Sequence, residues 1–322
     1  MLVSEVAQNG LMALHKICLL GGTGFVGKRL AARLSGAGHD VVILTRHAVR
    51  HRDLLVLPTA RLAEGDVHDA EFLRRQFQGR DSVINLVGIL NEKGRSGKGF
   101  TRAHAELPEK IVAACRETGV QRLLHMSALH AARTAPSHYL RTKALGEEAV
   151  HRAEGPDFHV TSFRPSVIFG PGDGFLNRFA GLLRFVPGFF PLACPGARFQ
   201  PVYVEDVVRA FADSLDNHKT FGQRYDLCGP QIYTLREIVE YVAKLLDKRV
   251  CVVGLPDGLS WLQAAMLEFA PGKPFSLDNY RSLQVDSVCE KGFPEVFGIT
   301  PARLEEIAPG YLKKWNGQDS QD

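Results

Sequence analysis

Residues 16–27, KICLLGGTGFVG, restrict this chain more than any other stretch. Ile17-Cys18-Leu19-Leu20 is a short apolar run of the kind that forms a strand buried on both faces. It passes into Gly21-Gly22-Thr23-Gly24-Phe25-Val26-Gly27 and then into helix-forming residues over 28–34. Spaced glycines carry information when a strand precedes them and a helix follows. Gly21 permits the tight turn, Gly24 lets the backbone approach a pyrophosphate, and Gly27 lets the helix pack closely on the strand. The free N–H groups at the helix start then face the phosphates, with Thr23, Phe25 and Val26 in the same turn. A glycine-rich turn without a ligand is the competing reading, and the βα units that follow weigh against it.

A chain of 322 residues suggests about two domains. Strand-like runs at 41–45, 60–63, 81–86, 122–126, 158–163 and 224–227 alternate with helical patterns. That alternation predicts an α/β fold, a Rossmann-type doubly wound parallel sheet built from 16–169 and 201–229. A small C-terminal α/β domain would take 170–200 and 230–322, with 1–15 as a leader. Pro165 and Pro171 mark where the chain leaves the sheet. The phenylalanine-rich stretch 173–199 reads either as an apolar pocket wall or as a lid core. Residues 259–267, LSWLQAAML, read first as a core helix and second as a membrane- or partner-docking helix. Thr234 with Glu237 is a capping box. Pro301 stands at a helix start, and Trp315 is near a polar tail.

The second strand sets the cofactor. An acidic residue at its end would accept hydrogen bonds from a ribose, whereas here Arg46 follows Thr45, with Arg50 and Arg52 behind it. A guanidinium there suits a 2′-phosphate, which favours NADP(H) over NAD(H). A solvated basic face on the second helix is the alternative. Asp66 is placed to accept from the adenine amino group beside Val67, unless it or Asp69 only caps the next helix. Leu86, Val87 and Gly88 pass over the ribose and nicotinamide side, before a mobile loop at 91–99. Tyr139 and Lys143 are four apart, one turn apart on one helix face. A lysine ammonium beside a phenol lowers its pKa, so that the tyrosine serves as acid or base in hydride chemistry. Ser127, at the end of strand five, would orient a substrate oxygen. Arg164 and Pro165 close the cofactor site.

Net charge is +4 without a run of five basic residues, which gives no footprint for nucleic acid. No uninterrupted apolar stretch is long enough for a transmembrane segment. The six cysteines are scattered without a CxxC pair, and Cys18, Cys115 and Cys251 read as small core residues, pointing to a reducing cytoplasm. His47 and His51 lack a third ligand nearby, so no metal is expected.

The glycine turn, the Tyr139/Lys143 pair and Arg164-Pro165 together resemble an extended-type short-chain dehydrogenase/reductase. More narrowly, INLVGIL (84–90), LLHMSAL (123–129), HYLRTKALGEEAV (138–150), FRPSVIFGPGDGF (163–175), PVYVEDV (201–207) and FGITPARLEEIAPGYL (297–312) resemble a second group. That group is the NAD(P)H-binding accessory subunit of respiratory complex I (NADH:ubiquinone oxidoreductase) and its bacterial relatives. The resemblance runs from 16 to 312. It implies a seven-stranded sheet and a tightly held NADP(H) on Gly21, Thr23, Gly24, Phe25, Arg46, Asp66, Val67, Tyr139 and Lys143. It also implies a structural, assembly or quinone-linked role, with a membrane-enzyme partner and a cytoplasmic location at the inner membrane.

One departure matters. Active epimerases and dehydratases place a Ser or Thr two or three residues past the strand-five end, where this chain has Ala128, Leu129 and His130. The resulting expectation is an NADP(H)-preferring oxidoreductase, Tyr139 its proton donor, acting on an apolar quinone- or lipid-like carbonyl. The alternatives are a low-turnover assembly or redox-sensing protein and, third, an NAD-dependent nucleotide-sugar epimerase or dehydratase.

Overall fold

A computed structural model describes residues 13–92, 94–186, 188–271 and 273–313. Most of the expected leader, and Trp315, lie outside the described residues. Seven strands form the central sheet: β1 (Lys16–Leu20), β2 (Asp40–Thr45), β3 (Ala60–Glu64), β4 (Ser82–Asn85), β5 (Arg122–Met126), β6 (His159–Pro165) and β7 (Arg224–Leu227). Their spatial order is β7-β6-β5-β4-β1-β2-β3, and every neighbouring pair is parallel. The order reverses between β1 and β4, which opens a crevice at their C-terminal ends.

Alternation along β1 explains its continuous apolar run. Ile17 and Leu19 face one side, where Leu30 and Leu34 of α1 (Phe25–Gly36) meet Val207 and Phe211. Cys18 and Leu20 face the other, against Phe72 and Phe77 of α2 (Ala70–Phe77) and Ile111 and Cys115 of α3 (Leu107–Thr118). The helix α4 (His138–His151) adds Val150 to that side. Both faces of the sheet are therefore covered.

A separate cluster forms around α5 (Leu176–Phe185) and α7 (Leu235–Leu245), with α6 (Val204–Asp213) returning between them to the sheet. Phe175, Phe179, Phe190 and Phe199 pack into this cluster, whereas Phe185 and Phe189 are exposed. The chain then forms α8 (Asp257–Leu267), α9 (Leu277–Ser282) and α10 (Leu304–Leu312). Thr234 and Glu237 close the expected capping box on α7.

Pro165 is the last residue of β6, opposite Leu227, so the chain leaves the central sheet there, as expected. Several other expectations change. The segment after β2 is a 3₁₀ stretch, Ala48–Val56, kinked at His51, not an α-helix. Residues around 91–99 are anchored: the Glu92 carboxylate accepts from the Gly97 and Gly99 amides at 2.7 and 2.8 Å. Helix α10 begins three residues after Pro301, with Arg303 at its cap. Cys18 and Cys115 are buried, but Cys251 is exposed, and Cys228 is disulfide-bonded to Cys289, 61 residues away. Spacing that long gives no sequence signal, and the bond removes the support that scattered thiols lent to a reducing compartment. The reading of 259–267 as a core helix also fails: only Ser260 and Ala264 of α8 are buried.

Candidate cofactor and active site

The glycine turn has the geometry its sequence demands. Gly21 sits at φ +75, and a Cβ there would stand 2.9 Å from the Leu86 carbonyl carbon. A Cβ on Gly27 would lie 2.2 Å from the Gly21 oxygen and 2.5 Å from the Gly22 Cα, so α1 touches the turn backbone to backbone. Gly24 is the N-cap, extended and without a side-chain cap, and the first turn of α1 carries no acidic residue. The Gly24 amide itself donates to the Gly21 carbonyl at 3.1 Å, so it is the first-turn amides after it that face an anion at the positive end of the helix dipole. Thr23 and Val26 are half-buried in the same turn, and the Phe25 ring reaches to Gly170.

Around this turn the sheet presents the remaining candidates. Arg46 is exposed at the end of β2 and has no ion pair among the described residues. The carboxylate of Glu64 accepts from the Ala48 amide at 2.7 Å. Asp66 is exposed; it accepts from the His68 amide at 2.9 Å and lies 3.4 Å from Arg102. Asp69, not Asp66, caps α2 through the Glu71 amide. Val67 packs against the core beneath. The Leu86 amide donates to Leu20 and the Val87 amide to the Asn85 side chain, which turns Gly88 toward the Lys143 ammonium.

Helix α4 aligns Tyr139, Lys143 and Glu147 on one face at successive intervals of four. Its start is fixed twice, by Ser137 bonding the Leu140 amide and by Asp278 accepting from the His138 and Tyr139 amides at 2.7 and 3.0 Å. The Tyr139 ring stands edge-on to His104 (5.4 Å) and Phe100 (6.3 Å). Burial there pushes the phenol up to about 12. The expected lowering by Lys143 is absent, because the ammonium donates instead to the Met126 carbonyl at 2.9 Å. Burial pulls Lys143 down to about 8, and Glu147 partly opposes the shift.

The surrounding histidines are neutral. Burial and then the Lys143 charge bring His104 to about 2 and His125 to about 3. His104 accepts from the Ile89 amide at 3.0 Å and contacts Thr142 at 3.1 Å, from a π-helical turn (Arg102–Glu106) that precedes α3. It therefore pins the backbone just past Gly88.

Arg164 does not turn its guanidinium into the cofactor crevice; it forms a bidentate pair with buried Glu147, which Arg224 also reaches at 2.8 Å. Burial works against the Glu147 charge, yet Arg164 and the nearby Ser127 hydroxyl hold it below the usual carboxylate range. Ser127 is itself buried and closes no well-formed hydrogen bond. The Pro165 carbonyl accepts from the Leu129 amide, tying the ends of β5 and β6 together.

Sequence reasoning missed His104, Glu147 and Asp278. The spacing of Glu147 from Lys143 was available as a signal. His104 and Asp278 act only across the fold and had none. A cleft at the start of α4 is lined by Phe100, His138, Arg95, Lys273 and Arg281 together with Glu92, Glu268 and Asp278; Tyr139 does not line it. Among the described residues no group of three or more metal-ligating side chains forms, and no helix is long and apolar enough to cross a membrane.

Comparison with known proteins adds to this geometry. The model of the NAD dependent epimerase/dehydratase family matches residues 17–228. The rat (Rattus norvegicus) NADH dehydrogenase [ubiquinone] 1 alpha subcomplex subunit 9 is 31% identical over 297 residues, covering 89% of this chain and 77% of that one. A ceramide reductase of Caulobacter vibrioides is 30% identical over 318 residues, covering 92% and 96%. Among solved structures, MoeE5 in complex with UDP-glucuronic acid and NAD superposes with a TM-score of 0.72 at 17% identity, covering 93% of this chain and 98% of that one.

Proposed function

The chain belongs to the NAD dependent epimerase/dehydratase family and has its NAD(P)-binding Rossmann fold, and we propose that it is a reductase acting on a lipid-like carbonyl. The pairing of Tyr139 with Lys143 on one face of α4, with the Lys143 ammonium beside Gly88 past the end of β4, is the observation that supports this reading. The residues present fit a dinucleotide: the first-turn amides of α1 that follow Gly24 suit the pyrophosphate, and Asp66 and Val67 suit the adenine. Leu86, Val87 and Gly88 suit the ribose and nicotinamide. The bound nicotinamide would supply the hydride. Tyr139 would protonate the developing alkoxide, and Lys143 would stabilise the phenolate left behind; Ser127 would orient the carbonyl only by turning its buried hydroxyl away from Glu147. The lipid-like substrate is supported by the relative named as a ceramide reductase, and by another named as a 2-alkyl-3-oxoalkanoate reductase.

Preference for NADP(H) is inferred from Arg46, exposed and without an ion pair among the described residues, where a 2′-phosphate would sit. A charge-assisted hydrogen bond to that phosphate contributes about 1.5–3 kcal/mol. Fluorescence titration should therefore show NADPH bound about tenfold or more tighter than NADH, with Arg46→Ala removing the difference. Tighter NADH binding by the unaltered protein would refute the assignment.

The direction of the Lys143 shift sets a pH dependence. Carbonyl reduction needs the protonated ammonium, and the Lys143 proton is lost near pH 8. Turnover should be level at lower pH and fall above about pH 8, approaching tenfold per unit. His104 and His125 titrate far below that range and should not contribute. A profile still level at pH 10 would count against Lys143.

A second reading has its own observation. The phenol is raised rather than lowered, and Lys143 is held by Met126, so the site is not poised for fast proton transfer. Relatives named as subunits of NADH dehydrogenase fit a cofactor-loaded component of a membrane enzyme with little turnover. Single-turnover oxidation of bound NADPH by quinones and long-chain ketones separates the two. No oxidation by any of them would favour the second.

A further inference from the structure

Helix α8 carries a single charged residue, Asp257, at its start. Its buried side is narrow, Ser260 and Ala264. On the opposite side Leu259, Leu262 and Met266 recur at helical spacing, and Phe269 extends the stripe one turn past the helix end. These side chains are exposed, Met266 at 68% and Phe269 at 77%. Trp261 stands half-exposed at the edge of the stripe. Gln263 bonds the Pro191 carbonyl at 3.1 Å, which sets the helix beside a two-stranded sheet whose outer side shows Phe189 and Val253. Apolar exposure this continuous marks an interaction surface.

The charges beside the stripe select the occupant. The Arg95 guanidinium lies 4.2 Å over the Phe269 ring, Arg178 reaches the Pro274 carbonyl, and Lys273 and exposed Arg281 complete the rim. Most carboxylates in this neighbourhood are committed to protein partners, although Asp257 at the helix start is exposed. Glu92 binds two loop amides, Asp278 caps α4, Asp257 accepts from Tyr280, and buried Glu268 is shared by Arg95 and Lys273. An apolar stripe with an indole at its edge and cations at its end matches the interface of an anionic bilayer. We propose that α8 lies in the surface of a membrane rich in anionic lipid, with Leu259, Leu262, Met266 and Phe269 among the acyl chains. Arg95, Lys273 and Arg281 then lie at headgroup level. This places the cleft at the start of α4, lined by Arg95, Lys273 and Arg281, at the lipid surface.

Co-sedimentation of the full chain with vesicles tests it without any turnover, so its result is independent of the reductase reading. The protein should pellet with mixed phosphatidylcholine–phosphatidylglycerol vesicles and much less with phosphatidylcholine alone, and high salt should weaken binding. The double substitution Leu262→Glu with Met266→Glu should lower the partition by about tenfold or more, given the loss of two buried apolar side chains. Its melting temperature should be unchanged, since both sites are exposed. In a Trp315→Phe background that leaves α8 intact, doxyl-labelled lipids should quench Trp261. Absence of pelleting, equal pelleting of the double variant, or unquenched Trp261 would each overturn the proposal. A concentration-dependent dimer abolished by the same substitutions, without vesicle binding, would assign the surface to a second copy instead.

Discussion

Replacing Tyr139 by phenylalanine is expected to slow single-turnover oxidation of bound NADPH by about 10²- to 10⁴-fold while leaving nucleotide affinity nearly unchanged. The substitution removes one oxygen and keeps the ring, so the edge-on contacts with His104 and Phe100 survive. What disappears is the only phenol on the Lys143 face of α4. Its pKa of about 12 keeps it protonated at neutral pH, as a proton donor for carbonyl reduction must be. Rapid-mixing absorbance at the nicotinamide band, with a long-chain ketone in excess, reads the rate. Equilibrium titration reads the affinity. An unchanged rate would remove Tyr139 from the chemistry.

The second large effect is expected at Gly27. Alanine there places a methyl group 2.2 Å from the Gly21 oxygen, and neither atom belongs to a flexible side chain. Relief requires α1 to move off β1 or the turn to open, and overpacking of this kind costs about 1–3 kcal/mol. Both movements displace the amides at the start of α1. Gly27→Ala should therefore lower the melting temperature and weaken NADPH binding by about tenfold or more. Gly36→Ala, with nothing within 4 Å of the added carbon, is the matched control and should do neither. Nucleotide binding that survives in Gly27→Ala would mean that the phosphates do not use this turn.

Much of the fold was legible because its signals are local. The apolar run of β1 is continuous since both faces of the sheet are covered, and the glycines have no alternative conformation to serve. The Thr234–Glu237 cap and the Tyr139–Lys143 spacing are likewise set by residues three and four apart. The misread elements depend on distant partners. Whether 259–267 is covered depends on what the rest of the chain places over it, and only Ser260 and Ala264 found cover.

The candidate site divides in the same way. Sequence alone determined the glycine turn, the basic end of β2 and the pairing of Tyr139 with Lys143 on one helix face, because each follows from spacing along a single element. Only the tertiary structure decided how those groups are charged. Protonation depends on burial and on neighbours brought from elsewhere. Met126 takes the Lys143 ammonium, His104 arrives from a π-helical turn, Arg164 and Arg224 converge on Glu147, and Asp278 crosses 139 residues to hold the first amides of α4. The disulfide between Cys228 and Cys289 is of the same kind. Periodicity and turn chemistry are written in neighbouring residues, whereas electrostatics and exposure belong to the space that the folded chain encloses.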